Sequence, residues 1–268
     1  MDLGLAGKRA LLTASSAGLG FACAAALAAE GVHIALSSRH QDRAEAAAAQ
    51  VRADLADTLA TAPQVFAYAA DVSENAAQEQ LFAQASRDLG GLDILICNAG
   101  GPPAGNFDSL EESAWDHAYQ LTLQSAVRSV RYALPHLRAA GGGVIVMIAS
   151  SSVKTPIPNL LLSNVFRPAI QGLCKALAIE LAADNIRVLC LCPGRIETER
   201  VNSLDSQNAE RQGISLEAVR QRSVSSIPLQ RLGQPEEFGR VAAFLCSSAA
   251  SYVTGSSIFV DGGSVRCL

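Results

Sequence analysis

The chain has 268 residues, enough for one large α/β domain or two small domains. Apolar residues make up 49% of it and charged residues only 17%, so a large core can form, which favours the single domain. The net charge of −4, with no run of basic residues, gives no electrostatic reason to expect nucleic acid or an anionic membrane as a partner.

The sequence gives no reason to expect a membrane span, a secretory signal or a metal site. No stretch approaches the roughly 18 apolar residues that a membrane span requires, and no basic region precedes an apolar segment at the N-terminus. The seven cysteines are odd in number and lie in apolar surroundings, which is typical of reduced core residues in a cytoplasmic protein. The histidines are dispersed, and Cys190 and Cys192 are too close together for an ordinary zinc pair, so we expect no metal.

Short apolar runs rich in β-branched residues alternate with longer helical segments along the chain. The predicted strands are 8–13, 32–37, 64–69, 92–97, 143–148, 186–191 and 256–260, and the predicted crossover helices include 41–60, 74–89 and 111–139. Strands that are apolar throughout are typical of a parallel sheet buried on both faces. The pattern predicts one doubly wound, Rossmann-type α/β domain over residues 1–268, with a central parallel sheet of about seven strands and helices on both faces.

The first strand runs directly into "TASSAGLG" (13–20, the Gly-rich turn) and then into a helix. Gly18 and Gly20 would let a pyrophosphate approach the backbone, and the helix N-terminus would present its positive dipole end to that group. A short Gly-rich turn alone is a weak signal, but here it opens an N-terminal βαβ unit. The segment therefore predicts a dinucleotide site.

The end of the second strand indicates which dinucleotide is bound. Ser38 and Arg39 lie about 20 residues after the turn, where an Asp or Glu would bind a ribose 2′-hydroxyl. No carboxylate is present there, and an arginine suits a 2′-phosphate. This favours NADP(H) over NAD(H); the alternative is that Arg39 is only a solvated residue at a strand end.

One long polar insertion, at about 197–226, has a charged helical pattern. Long insertions in compact α/β domains are often functional lids, so we interpret this segment as an exposed, mobile hood over the substrate. The alternative is a solvated pair of helices.

Several motifs occur in one order over nearly the whole chain: "TASSAGLG", then "DV" (71–72), "NAG" (98–100), "PGRIET" (193–198) and a C-terminal segment at 227–263. They resemble the short-chain dehydrogenase/reductase family, and the C-terminal segment is most similar to 3-oxoacyl-carrier-protein reductases. The resemblance implies a single Rossmann-type domain, a nicotinamide cofactor, a small-molecule substrate and a homodimer or homotetramer.

The resemblance also implies a set of cofactor-binding residues. Asp71 and Val72 would flank the adenine, residues 98–100 would lie near the nicotinamide ribose, and residues 193–198 near the carboxamide. The full set is Thr13, Ser15, Ser16, Gly18, Leu19, Gly20, Ser38, Arg39, Asp71, Val72, Asn98, Ala99, Gly100, Pro193, Gly194, Ile196 and Thr198. One position departs from the family: Ala14 stands where the family has glycine, and alanine is penalised wherever φ is positive.

The catalytic positions depart further. The family uses a serine, a tyrosine and a lysine in Y-x-x-x-K spacing, and an asparagine on the preceding helix. The resemblance places the serine at Ser150, with Ser151 as the alternative. It places the tyrosine at Ser163, the lysine at Arg167 and the asparagine at Thr122.

These replacements change the chemistry. An aliphatic hydroxyl is far less acidic than a phenol, so Ser163 would not donate a proton as a tyrosine does. Arginine keeps the positive charge of lysine but bonds through a fixed fork. Lys154 is a possible substitute cation, although a loop charge is the simpler interpretation.

Pro168 follows Arg167, and two starting points of the helix are compatible with it. If the helix begins before Ser163, the proline lies in its interior; if it begins near Asn164, the proline lies in its first turn and is tolerated. In the second case Ser163 or Asn164 would be the N-cap and Arg167 a structural charge. Only an undistorted helix puts Ser163 and Arg167 on one face.

Two functions remain. The first is an NADP(H)-dependent oxidoreductase that reduces a carbonyl, possibly a 3-oxoacyl thioester, or oxidises an alcohol without the usual tyrosine and lysine. The second is a catalytically silent cofactor-binding sensor or partner subunit on the same scaffold. A non-redox reaction such as elimination is a third alternative.

Overall fold

A computed structural model describes residues 2–55 and 62–267. Within these ranges the strands are β1 (Arg9–Leu12), β2 (His33–Ser38), β3 (Val65–Ala69), β4 (Ile94–Cys97), β5 (Gly143–Ile148), β6 (Ile186–Pro193) and β7 (Ser257–Val260). The α-helices are α1 (Gly18–Ala29), α2 (Gln41–Leu55), α3 (Asn75–Leu89), α4 (Glu112–Ala118), α5 (Ser125–Ala139), α6 (Leu161–Glu180), α7 (Glu199–Gln212), α8 (Leu216–Ser226) and α9 (Pro235–Cys246).

The strands form one parallel sheet in the order β3-β2-β1-β4-β5-β6-β7. The chain moves outward from β1 to β3 and then returns to place β4 against the other side of β1. Such a reversal opens a crevice at the carboxyl ends of the two central strands, where ligands of doubly wound sheets bind. The predicted Rossmann-type fold with seven parallel strands is confirmed.

The core consists of two apolar layers, one on each face of the sheet. Leu27 of α1 and Phe238 of α9 belong to one layer. Phe82 of α3, Leu137 of α5 and Ile170 of α6 belong to the other. Because both faces are covered, the central strands are apolar throughout, and the lack of alternation in the sequence follows from this burial.

Three predicted helical segments differ in detail. The segment 41–60 forms α2 as far as Leu55, and its last residues lie outside the described ranges. The segment 111–139 is not one regular helix, because a π-helical stretch, Tyr119–Gln124, separates α4 from α5. The hood segment 197–226 forms α7 and α8, which are joined by a left-handed Gly213 and capped by Ser215.

Along 2–55 and 62–267, no helix combines the length and the apolar character needed to cross a membrane. Six cysteines are buried and free, and Cys267 is free and exposed. No group of three or more potential metal ligands occurs in those same ranges.

Asp93, just before β4, connects that strand to β1. The Arg9 guanidinium donates from Nε to the carboxylate (2.7 Å), and the Arg9 amide donates to the same oxygen (3.0 Å). Burial acts to raise the pKa of Asp93, but the hydrogen bonds and charge of Arg9 outweigh it, and the pKa lies below its usual value. A carboxyl with a lowered folded pKa stabilises the fold above its unfolded pKa, and this contribution is lost as the pH falls through the folded value.

We therefore expect Asp93→Asn to lower the free energy of unfolding by about 1–2 kcal/mol at neutral pH. The difference from wild type should shrink below about pH 4, where the carboxylate of the unfolded wild type begins to bind a proton, and disappear once the pH falls below the lowered folded pKa. Urea unfolding at several pH values measures this. The control is Asp184→Asn, which removes the more exposed Arg138–Asp184 pair (2.8 Å) and should cost less than about 1 kcal/mol. A pH-independent difference at Asp93 would contradict the ion-pair explanation.

Candidate active site

The Gly-rich turn is held against β4 by side-chain hydrogen bonds. The Thr13 hydroxyl donates to the carbonyl of Asn98 (2.7 Å) and accepts from the Asn98 amide (2.8 Å). The Asn98 side chain donates from Nδ2 to the carbonyl of Ala14 (2.8 Å). The predicted residues Thr13 and Asn98 thus meet at the switch point and join the two loops that line the crevice.

Ser15 and Ser37 clamp the same turn from the side of β2. The Ser15 hydroxyl donates to the carbonyl of Leu12 (2.9 Å) and accepts from the amide of Ser37 (3.1 Å). The Ser37 hydroxyl accepts from the amide of Ala14 (3.2 Å). The Ser15 side chain is fully buried in this network, so only its backbone can face a ligand. The sequence did not predict a role for Ser37 in holding the turn, because its partners Ala14 and Ser15 are distant from it in sequence.

Backbone geometry in the turn favours glycine at more than one position. Ala14 has a φ of 47° and Gly18 a φ of 55°. At Gly20, a Cβ atom would lie 2.7 Å from the carbonyl oxygen of Ala14 and 2.8 Å from Nδ2 of Asn98. The helix α1 can therefore begin close against the turn only because residue 20 has no side chain. Ser16 and Leu19 are half-buried on this turn.

Ala14→Gly is expected to stabilise the protein by about 1 kcal/mol, because alanine pays a steric cost in the left-handed region that glycine avoids. Thermal and urea unfolding measure the change. The control is Ala17→Gly, at the extended residue that precedes α1 (φ −156°), where no left-handed strain is relieved. Equal effects at the two positions would contradict this account.

The predicted adenine end lies at the carboxyl ends of β2 and β3. Ser38 is buried and its hydroxyl accepts from the His40 amide (3.4 Å). Arg39 is exposed and makes no hydrogen bond or ion pair with any residue that the structure describes. The Asp71 carboxylate accepts from the amide and hydroxyl of Ser73, and Val72 is buried. The guanidinium of Arg39 is therefore available to a ligand.

The segment 193–198 follows β6 and closes the other side of the crevice. Pro193 ends β6 opposite Val260, a Cβ on Gly194 would lie 2.6 Å from Asp261, and Ile196 is buried. Thr198 is the N-cap of α7, and its methyl group lies 3.6 Å from the position that a Cβ on Gly18 would occupy. The hood therefore begins directly over the Gly-rich turn.

Helix α6 begins at Leu161, and its preceding residue, Leu160, makes no side-chain cap. The alternative that Ser163 or Asn164 is the N-cap is therefore wrong, and Pro168 lies in the interior of a helix that continues to Glu180. Asn164 instead bonds to both backbone groups of Ile157 (2.9 Å each), which ties the first turn to the preceding loop. With the helix continuous, Ser163 and Arg167 lie one turn apart on the same side.

Arg167 is a buried cation at the base of the crevice. Its side chain is 8% exposed, and Nη1 donates to the carbonyl of Ile148 at the end of β5 (2.8 Å). Within the described chain no carboxylate lies within 4.0 Å of its guanidinium. Burial lowers the pKa of Arg167 to about 10, with Cys190 raising it and the charge of Arg200 lowering it. The group therefore stays charged at neutral pH and lacks a counter-ion.

Ser150 and Ser163 are connected through Ser152. The Ser150 hydroxyl accepts from the Ser152 amide (3.0 Å), and the Ser152 hydroxyl donates to the carbonyl of Ser163 (3.4 Å). Neither Ser150 nor Ser163 is buried. Ser151 begins a short 3-10 turn, and Lys154 at the end of that turn is exposed.

Thr122 lies in the π-helical stretch and faces a small cavity with room for one water molecule, about 10 Å³. The cavity is also lined by Thr13, Asn98, Ala99 and Arg167. The Thr122 hydroxyl oxygen is buried and has no hydrogen-bond partner among the described residues. The fold therefore brings Thr122 and Arg167 to one cavity, whereas Ser150 and Ser163 do not line it.

Comparison with known proteins agrees with this geometry. The family model described as "Enoyl-(Acyl carrier protein) reductase" matches residues 13–264. Dehydrogenase/reductase SDR family member 4 from Oryctolagus cuniculus is 35% identical over 260 residues, covering 97% of this chain and 94% of that protein. The chain belongs to the short-chain dehydrogenase/reductase family.

Solved structures support the same assignment. L-sorbose reductase from Gluconobacter frateurii, complexed with NADPH and L-sorbose, is 33% identical with a TM-score of 0.92, and the match covers 100% of both chains. A 7α-hydroxysteroid dehydrogenase complexed with NADH and 7-oxo glycochenodeoxycholic acid is 31% identical with a TM-score of 0.88, covering 100% of this chain and 98% of that one. These reductases and dehydrogenases are oxidoreductases that hold a nicotinamide cofactor.

The crevice of this short-chain dehydrogenase/reductase fits such a dinucleotide. No side chain caps α1, whose first turn faces the crevice, so a phosphate can accept from its amides. A Cβ added at Gly100 would meet nothing within 4 Å, which leaves open space beside residues 98–100.

Arg200 is a residue near the site that sequence reasoning did not find. It follows the "PGRIET" motif within α7 and donates from Nη2 to the carbonyl of Pro102 (2.7 Å). Its position in a charged, helical segment suggested a solvated residue. Only the packing of α7 against the loop after β4 reveals the contact.

Proposed function

We propose that this protein is an NADP(H)-dependent oxidoreductase that reduces a carbonyl compound, with 3-oxoacyl thioesters among the candidates, or oxidises the corresponding alcohol. The observation that carries the proposal is the crevice at the switch point, where the Gly-rich turn, the 98–100 loop and the buried charge of Arg167 converge. The bound nicotinamide would supply or accept the hydride. The protein's own residues would bind and orient the reacting groups and stabilise the charge that develops on them.

Arg167 would provide a fixed positive charge near the nicotinamide ribose, because its pKa, although lowered by burial to about 10, still keeps it protonated at neutral pH. The hydroxyl of Ser150 would donate a hydrogen bond to the substrate oxygen while it accepts from the Ser152 amide. Ser163 would not serve as the general acid, because its hydroxyl is far less acidic than a phenol. The proton would then come from water, from the substrate or from a group not yet identified.

The choice of NADP(H) rests on Arg39. Its guanidinium is exposed, has no partner among the residues that the structure describes, and follows β2, where it would pair with a 2′-phosphate. NADPH in the L-sorbose reductase complex supports this choice, whereas the 7α-hydroxysteroid dehydrogenase complex contains NADH. The binding of both NADPH and NADH therefore has to be measured.

Arg39→Leu is expected to raise the Kd for NADPH by about tenfold and to leave the Kd for NADH nearly unchanged, because only NADPH carries the 2′-phosphate. Fluorescence titration with both cofactors measures this. Arg240→Leu, an exposed arginine of α9, is the matched control. If the variant binds both cofactors equally more weakly than wild type, or binds both as tightly as wild type, the assignment of Arg39 to the 2′-phosphate is contradicted.

The test of the whole proposal is NADPH consumption by wild type with ketones, aldehydes and 3-oxoacyl thioesters, beside a Ser163→Tyr/Arg167→Lys variant. Turnover by wild type supports the proposal. Activity in the variant alone would instead support the second candidate, a cofactor-binding sensor or partner subunit whose chemistry has been lost. The replaced residues at 163 and 167 are the observation that favours this second candidate.

We also propose a homodimer or homotetramer and a cytoplasmic location. Large apolar side chains remain exposed at Tyr119 and Val165 (40% and 43%), and six free cysteines are buried. Light scattering of the purified protein tests the oligomer, and a monomer would contradict it.

A further inference from the structure

Arg200 occupies a specific position opposite the loop that follows β4. Its Nη2 atom donates to the carbonyl of Pro102 (2.7 Å), which orients the guanidinium. A Cβ on Gly101 would lie 3.0 Å from Nε and 3.1 Å from Nη2 of Arg200, so the guanidinium rests directly against the backbone there. The side chain of Arg200 is therefore held in a defined orientation against the loop that follows β4.

The positive charges of Arg200 and Arg167 are not neutralised by the described chain. No carboxylate lies within 4.0 Å of either guanidinium. The buried carboxylate of α7, Asp205, pairs with Arg195 instead. Both guanidiniums lie close to the loop that follows β4: Arg200 rests against residues 101–102, and Arg167 lines the same cavity as Asn98 and Ala99.

Arg200 is exposed, although partial burial of its guanidinium lowers its pKa, and its charge acts to lower the pKa of Arg167. The charge of Arg200 therefore disfavours the charged form of Arg167. An anionic group beside the two guanidiniums would offset their desolvation and their mutual repulsion. Hydrogen bonds from a guanidinium to an anion are stronger than those between neutral groups, because the opposite charges attract.

Arg200 lies nearer to the reacting end than to the pyrophosphate end. Thr198, two residues earlier, is the residue beside Gly18 in the Gly-rich turn. Arg200 instead meets residues 101–102, directly after Asn98 and Ala99, which line the cavity of Arg167. An anion held by Arg200 would thus lie beside the substrate.

We propose that Arg200, reinforced by the charge of Arg167, binds a carboxylate on the substrate, so that the substrate class is an oxo acid or the matching hydroxy acid. The inference rests on the proposed function for the identity of the site. Recognition of the carboxylate itself does not depend on turnover, because it requires only that the NADPH-bound protein bind the acid.

The test uses acetoacetate and 4-oxopentanoate as probes, each compared with its neutral methyl ester. Calorimetry measures the Kd of every probe for the NADPH-saturated protein, and fluorescence measures the Kd of NADPH itself. Arg200→Met removes the charge, and Arg211→Met, an exposed arginine of the same helix bonded to Asn208, is the matched control.

We expect wild type to bind each acid about tenfold or more tightly than its ester. Arg200→Met should remove this preference and leave the Kd of NADPH unchanged, and Arg211→Met should change neither. Equal binding of acid and ester by wild type would overturn the proposal. So would a weakened NADPH affinity in Arg200→Met with the acid preference intact, since the anion would then be the cofactor's diphosphate. Acid-selective binding without NADPH oxidation would support the inference and contradict the proposed function alone.

Discussion

Gly20→Ala is expected to destabilise the protein by about 2 kcal/mol and to weaken NADPH binding at least about tenfold. The new Cβ would lie 2.7 Å from the carbonyl oxygen of Ala14, which is backbone and cannot rotate away. It would also meet Nδ2 of Asn98 at 2.8 Å, the group that joins the turn to the loop after β4. The turn must move, and the amides that would face the pyrophosphate move with it.

Gly172→Ala is the matched control, since Gly172 lies in α6 and a Cβ there would meet nothing within 4 Å. This change should stabilise the protein by about 0.5–1 kcal/mol, the ordinary gain of alanine over glycine in a helix. Urea unfolding and NADPH titration of both variants measure the contrast. Stabilisation by Gly20→Ala, with NADPH binding intact, would show that the turn tolerates a side chain at this position.

Arg167→Met is expected to lower NADPH-dependent turnover at least about a hundredfold, because a positioned charge at the reacting centre would be lost. The same change should leave the free energy of unfolding unchanged or raise it by about 1–2 kcal/mol. Arg167 is buried, has no carboxylate partner in the described chain and makes one hydrogen bond, to Ile148, so its desolvation is poorly offset. A residue that costs stability and supports activity is typical of a functional site.

Arg187→Met provides the control, because Arg187 is a partly buried arginine that, like Arg167, has no carboxylate partner among the described residues. It donates to the carbonyls of Leu245, Val253 and Ser247 at 2.9–3.2 Å. Its removal leaves buried acceptors unpaired and should cost about 2–4 kcal/mol. Unfolding and kinetics of both variants distinguish the roles. If Arg167→Met destabilises the protein as much as Arg187→Met does and keeps the activity of wild type, Arg167 is only a structural charge.

The sequence by itself determined the architecture and the position of the crevice. Apolar runs at regular spacing predicted each strand of the sheet to within a few residues, because strands buried on both faces must be apolar along their whole length. The Gly-rich turn was recognisable because a close approach of backbone to backbone excludes a Cβ at Gly20. Local rules of this kind act within a few residues and can be read from the chain directly.

The tertiary structure alone decided how the altered site is built. The sequence left two helix starts open, because a proline is tolerated in a first turn, but packing against the loop at Ile157 starts α6 at Leu161 and keeps Pro168 in its interior. The cavity that Thr122 shares with Arg167, and the contact of Arg200 with Pro102, also join residues far apart in sequence. Such contacts depend on how whole elements pack, and no local pattern encodes them. The sequence therefore located the site, and the packing of distant elements determined which charges face it.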